Sequence, residues 1–342
     1  MKSAPKNMSI ALCRSFATIM IVICHFGTAY GYSFVGQFFQ SGVQVFILIS
    51  GVLYSSRSID NNIKRWLLNR WKRVCVPCYI HAAWLVIICT ICDVTYNWKG
   101  LTEIILNVEG YHHFFTFIPN PWIMKGTGHF WFVTVICLCY GLVALIKKRQ
   151  LDKWIHERRL YIFLLIFVIS ILTGFVGLRL DYFVIFLFGY MFSEHLFHVS
   201  KKELLFGTGC FMCAVILRLA GKIYCDVYGD NNIYLYVLIP ISYNLLAYAA
   251  YCYINMIGEI LNKLLNKQRS LYEKCILAFD SLTFYIFITH YMYIDGPNSL
   301  IDISASRIIS ITCVLVATFV SSMVLKSITH FLNSRMISLR SS

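Results

Sequence analysis

The sequence predicts an all-helical protein that crosses a membrane many times, and three observations carry that prediction. Of the 342 residues, 58% are hydrophobic and only 13% charged, against about 45–50% apolar and about 25% charged in soluble domains. Ten stretches are apolar over roughly the 20 residues needed to cross about 30 Å of hydrocarbon. The basic residues fall largely on one side of those stretches. A soluble globule of this composition would expose far too much apolar surface, as the mean hydropathy of +0.67 underlines. Disorder is excluded as well, because disordered chains are poor in aromatics and here aromatics make up 16%.

The expected spans are 9–30, 34–56, 74–95, 128–146, 160–178, 181–197, 204–220, 234–258, 276–294 and 308–330. The first reads as a retained signal-anchor helix. A cleaved signal peptide would not carry Arg14 and His25 in its apolar run, and no clean small-x-small cleavage site follows. The second closes on Ser50-Gly51, and the third follows the basic run Arg70, Lys72, Arg73. The fourth opens at His129, after a linker of about 94–127 that mixes aromatics with Pro119 and Pro121. The sixth and seventh are short, which suits a tilted or broken helix. The ninth ends near His290. No internal repeat, low-complexity tract or separate soluble region interrupts the pattern, so residues 1–342 read as one transmembrane domain.

The net charge of +14 comes from 30 Lys and Arg against 16 Asp and Glu. In a soluble protein it would suggest nucleic acid. Here 23 of the 30 basic residues fall at the N-terminus, between spans 2 and 3, 4 and 5, 6 and 7, 8 and 9, and at the C-terminal end. The positive-inside rule then puts both termini in the cytoplasm and removes nucleic acid as a partner. Arg14 and Arg218 remain inside spans. The fourteen cysteines include the pairs Cys75/Cys78, Cys89/Cys92 and Cys210/Cys213. CxxC spacing can signal zinc or redox chemistry, but a free Cys on an apolar helix behaves as a small hydrophobe. No metal set is expected.

Ionisable groups inside a membrane are costly and default to functional hypotheses. Arg14 and His25 lie eleven residues apart on span 1. That is about three turns and about 16 Å of rise, so they share a face at different depths. Arg14 sits near the inner end, where it could instead snorkel to headgroups. His25, His129 and His290 reach similar depths in the outer half from spans 1, 4 and 9. A lone intramembrane His usually only packs, whereas three at one depth suit a proton-transfer site, His being the natural base near neutral pH. On the inner side, Arg70, Lys72 and Arg73 lie near the depth of Arg14 and Ser50. Such a cluster suits a phosphate-bearing ligand and also serves as topology signal and anionic-lipid contact. The layout is a cationic inner mouth, a passage and an outer histidine cluster.

These positions also resemble a known family. The stretch Arg14-Ser-Phe-Ala-Thr-Ile-Met-Ile-Val-Ile-Cys-His25 resembles the R-x10-H signature of the acyltransferase 3 family of membrane acyltransferases. Gly42-Val-Gln-Val-Phe46-Ile-Leu-Ile-Ser50-Gly51 resembles its second helix, and Lys72-Arg73-Val-Cys-Val-Pro77-Cys-Tyr79 the start of its third. His129-Phe-Trp131-Phe with Tyr140, Phe188-Gly189-Tyr190, and Ser281-Leu-Thr-Phe-Tyr285-Ile-Phe-Ile-Thr-His290 follow in the family's order. Val45-Phe46 departs from the usual paired aromatics, and Lys72 stands where Arg is common.

The resemblance implies an O-acyltransferase of a bacterial cytoplasmic membrane. An acyl group, acetyl foremost, would pass from cytoplasmic acyl-CoA as co-substrate to a hydroxyl of an extracytoplasmic or lipid-linked glycan, with no resident cofactor. His25 would be the general base, with His290 and His129 assisting and Arg14 orienting the donor. Arg70, Lys72, Arg73 and Ser50 would hold the donor, and Trp131, Tyr285 and Trp122 the acceptor. A transporter of a polysaccharide precursor or small metabolite is the alternative. Transporters often show inverted repeats and Gly/Pro-broken helices, and six prolines with no matching halves count against one.

Overall fold

The computed structural model describes residues 8–57, 59, 62–119, 123–197, 199–229, 233–264 and 269–338. Among these the chain forms helices and no strand, apart from a single bridge between Phe115 and Leu178. In order they are α1 (Met8–Ala29), α2 (Ser33–Phe39), α3 (Gly42–Ser55), α4 (Ile63–Ile91), α5 (Trp98–Leu106) and α6 (Tyr111–Phe114). Then come α7 (Trp131–Lys148), α8 (Asp152–Glu157), α9 (Arg159–Phe175), α10 (Asp181–Met191), α11 (Ser193–Phe197) and α12 (Lys201–Tyr228). A π-helical turn (Tyr234–Leu238) leads into α13 (Ile239–Leu264), followed by α14 (Arg269–Asp280), α15 (Thr283–Asp295) and α16 (Arg307–Ser338).

The protein is therefore an all-helical, multi-pass membrane protein, as composition requires. The described residues bear out fewer than ten spans by length and composition. Among the described residues seven helices are long and apolar enough to cross a membrane, with α2 and α3 forming one of them, and the bent pair α14–α15 makes an eighth. The two remaining apolar stretches are short: α9 has 17 residues and α10 has 11. Hydropathy extended both segments to 178 and 197, but the chain turns at Gly177, where φ is +77°, and again at Phe192 between α10 and α11.

Close helix contact fixes the core. The backbone of α3 lies directly on that of α10. A Cβ added at Gly51 would sit 2.1 Å from the Phe186 carbonyl oxygen, and one at Gly189 would sit 2.4 Å from the Leu48 oxygen. Without a hydrophobic drive between helices in lipid, such small-residue contacts are how helices associate. Gly51→Ala is expected to cost about 1–3 kcal/mol through overpacking, read as a lower thermal unfolding temperature in detergent. Gly141→Ala, where nothing lies within 4 Å of the new Cβ, should leave that temperature unchanged or raised.

The 55° bend between α14 and α15 has a side-chain cause. Ser281 Oγ donates to Ala278 O at 2.6 Å and Thr283 Oγ1 donates to Asp280 O at 2.8 Å, so hydroxyls satisfy carbonyls that the broken helix leaves free. Lys326 Nζ on α16 donates to Ser281 Oγ at 2.7 Å, which anchors the break. Elsewhere a polar network joins α3, α7, α8 and α10. Lys147 Nζ donates to Asp152 Oδ1 at 2.7 Å and to Ser55 O at 3.2 Å, and the Tyr190 hydroxyl donates to the same carboxylate. Ser55 Oγ lies 3.3 Å from His156 Nε2, whose Nδ1 donates to Asp152 O at 2.9 Å. This Ser–His pair is held entirely within a satisfied network.

Candidate functional site

Three helical segments bring the outer histidines together. The His25 ring, on α1, lies 5.1 Å centroid to centroid from His290 on α15 and 6.4 Å from His129, just before α7. His129 and His290 are 5.1 Å apart. Tyr291 packs against the group, 4.6 Å from His25 and 5.2 Å from His129. His129 and His290 are buried, at 3% and 0% exposure, while His25 is half-buried.

Backbone carbonyls fix the tautomers of the two buried rings. A carbonyl oxygen can only accept, so the ring nitrogen facing it carries the proton. His290 Nδ1 donates to Ile286 O at 3.0 Å, and His129 Nε2 donates to Ile288 O at 3.2 Å. His290 Nε2 and His129 Nδ1 are then lone-pair nitrogens, and neither has a hydrogen-bond partner. Each of the two rings thus donates one hydrogen bond and keeps one acceptor nitrogen unpartnered among the described residues.

A fourth histidine belongs with these three. His81, on α4, is fully buried with neither ring nitrogen partnered. Its ring lies 5.8 Å from Phe130, and it is within electrostatic reach of both His129 and His290. Sequence reasoning passed over it because it sits nearer mid-span than the other three. It lies eight residues, about 12 Å of helix rise, beyond Arg73 on the same helix, so α4 connects the basic cluster to the histidines.

The His129 loop is built from turns. Gly126 adopts φ +86° and packs near Gly296, at the end of α15. Thr127 Oγ1 donates to Met124 O at 2.8 Å and lies 3.2 Å from Glu109 Oε1, in the linker between α5 and α6. Burial pushes the Glu109 carboxyl up to about 8. The Thr127 hydroxyl donates to Met124 O at the shorter distance and towards Glu109 Oε1 at the longer, which offsets part of the effect of burial. Because the folded pKa lies above the ordinary carboxyl value of 4.5, Glu109 holds its proton while the unfolded chain releases it. Stability is therefore lost as pH rises from about 4.5 to about 8. Thermal unfolding across that window should fall less for Glu109→Gln than for wild type.

The other expected residues separate into groups. Arg14 does not stand as a free cation: its Nε and Nη2 form a two-point ion pair with Asp280 Oδ1 and Oδ2 at 2.7 and 2.8 Å. Sequence reasoning missed Asp280, which closes α14 just before the bend. Arg70 lies over the rings of Tyr54 and Trp66, at 5.4 and 5.7 Å, with its buried Nε unpartnered. Lys72 is half-buried and Arg73 exposed on the same helix. Ser50 Oγ donates to Phe46 O at 2.9 Å within its own helix.

Trp131 is buried under His113, whose ring stacks on it at 4.3 Å, and against Tyr182 at 5.2 Å. Burial, then the charges of His112 and Arg179, hold His113 well below the usual imidazole range, so this cover is neutral. Tyr285 is half-buried on α15, with the Thr329 side chain beside its hydroxyl. Neither Trp131 nor Tyr285 packs its ring on the histidine trio. Trp122 lies outside the described residues.

The chain was compared with known proteins. No curated protein and no solved structure matches it. Residues 7–327 match the acyltransferase 3 family, described as an acyltransferase domain. That match spans nearly the whole chain, from the residue before α1 into α16, and takes in all the residues of the histidine cluster and the Arg14–Asp280 pair. The chain belongs to the acyltransferase 3 family.

Proposed function

We propose that the protein is an acyl-CoA-dependent O-acyltransferase, with acetyl the foremost group, acting on a hydroxyl of an extracytoplasmic or lipid-linked glycan. The observation that carries this reading is the cluster of His25, His129, His290 and His81, with unpartnered lone pairs, in a member of an acyltransferase family. The 23 basic residues on one side of the sequence-derived spans support an orientation with both termini inside, and a bacterial cytoplasmic membrane is part of the same proposal.

His25, the most accessible ring, takes the proton of the acceptor hydroxyl. The oxygen bonds to the thioester carbonyl carbon, the C–S bond breaks, and the thiolate leaves and takes up the proton. His290 Nε2 and His129 Nδ1, unpartnered in rings 5.1 and 6.4 Å from that of His25, share that proton in transit. On the opposite side Arg70, Lys72 and Arg73 meet the phosphates of the donor, and Arg14 keeps the inner half of α1 fixed through Asp280. The pantetheine arm would run along α4, past His81, towards the histidines. Acceptor contacts remain assigned to Trp131, Tyr285 and Trp122 as sequence candidates.

The test is labelled acetyl-CoA added to membranes that contain the protein, with a lipid-linked glycan as acceptor. Label transferred to the glycan supports the reading. Glycan movement across the membrane without label transfer would favour a transporter instead.

A further inference from the structure

Arg218, on α12, is fully buried. Its Nη2 donates to Gln37 Oε1 on α2 at 2.6 Å, while Nε and Nη1 have no hydrogen-bond partner. The rest of its surroundings are aromatic: the guanidinium carbon lies 5.0 Å from the Tyr243 ring centroid, 5.1 Å from Phe38 and 5.9 Å from Phe34. Tyr243 donates its own hydroxyl to Gln40 Oε1 at 2.7 Å, so towards Arg218 it can only accept.

The contrast with the other deep arginines is chemical. Arg14 grips Asp280 at two points, and Arg179 grips Asp181 at two points, at 3.1 and 3.0 Å. Arg218 has no carboxylate partner among the described residues. A buried cation without counter-charge is strongly disfavoured, in membranes most of all. Aromatic faces and a neutral amide return only part of the lost hydration. A side chain that merely tied α2 to α12 would do so at less cost as a neutral amide.

Its placement points the same way. Gly36, before Gln37, lies against the carbonyl of Cys24, where an added Cβ would sit 2.8 Å from the oxygen. Cys24 precedes His25 and is within electrostatic reach of Arg218. Arg218 thus lies across α2 from the outer half of α1, on the side where Cys24 meets Gly36. Phe34, Gln37 and Phe38 are only half-buried, so one layer of side chains separates Arg218 from the surface.

We propose that Arg218 and Gln37, walled by Phe34, Phe38 and Tyr243, form an oxyanion subsite that holds a carboxylate or phosphate of the acceptor at the α2–α12 face of the bundle. This rests on the acyltransferase reading and sharpens it: the acceptor is acidic. The anion comes either from a uronic-type sugar or from the phosphate linkage of a lipid carrier.

The test titrates the detergent-solubilised full chain, by calorimetry, with glucuronic acid, its methyl ester and inorganic phosphate. Wild type should bind glucuronate or phosphate at least about tenfold tighter than the ester, and the tighter of the two anions identifies the source. Arg218→Gln should erase that preference and Arg218→Lys should keep part of it. Equal binding of anions and ester by wild type, or an undiminished preference in Arg218→Gln, overturns the subsite. Should Arg218→Gln fail to fold, the wild-type comparison and Arg218→Lys still decide. An acyl-transfer assay on the acidic and esterified acceptors separates the two layers. Anion binding without any transfer removes the acyltransferase reading alone, and transfer without anion preference removes the subsite alone.

Discussion

His25→Ala is expected to lower acyl transfer by about 10²–10⁴-fold, the range for removing a positioned general base. The protein should stay in the membrane at wild-type abundance. His25 is half-buried and makes no hydrogen bond to a described residue, so truncation breaks only its ring contacts with His290, His129 and Tyr291. His25→Gln keeps a polar group of similar size but supplies no base near neutral pH, so it should fail as fully as alanine. The pattern across the cluster is equally diagnostic. His290→Ala and His129→Ala remove a lone pair together with a bond to Ile286 O or Ile288 O, so each should lower both activity and thermal stability. Full activity in His25→Ala would move the base to one of the buried rings.

The convergence of His25, His129 and His290 was legible because hydropathy orders the spans and alternation of direction gives each residue a depth. Depth does not say which helices adjoin, and that is where sequence reasoning ran short. Asp280 reads as one more acid near an inner loop until the bend at Ser281 and Leu282 turns it onto Arg14. No proline or glycine announces that bend, since its free carbonyls are met by the hydroxyls of Ser281 and Thr283. His81 was hidden by its mid-span position, and Glu109 by a linker that reads as surface although its carboxyl is buried. The family motifs carried more than they disclosed. Gly51 and Gly189 belong to two of them, and the structure shows that each marks a backbone contact between α3 and α10. The tenfold span pattern blurred for a related reason, because hydropathy measures apolar length and α9 and α10 end short of it.

Arg14→Ala should cost about 3–5 kcal/mol of stability, the range for removing one partner of a buried ion pair. The reason lies in the asymmetry of the pair: the Asp280 side chain is 4% exposed and Arg14 is 32% exposed. Losing the arginine strands a carboxylate that cannot reach water. Losing the aspartate leaves a long cation that can snorkel towards the headgroups, so Asp280→Ala should cost less. The double variant removes both charges and should recover much of the Arg14→Ala loss, giving a coupling that thermal unfolding of the four proteins would read. Additive losses would mean that the two groups do not stabilise each other. Activity then separates anchoring from donor binding. With two nitrogens on Asp280, Arg14 acts on the donor through the position of α1, so Arg14→Lys at matched folded protein should lower kcat with little change in the KM for acyl-CoA. Arg73→Ala, which removes an exposed charge of the basic cluster at the inner mouth, should raise that KM while leaving kcat near wild type. A KM rise in Arg14→Lys as large as in Arg73→Ala would put the guanidinium on the donor itself.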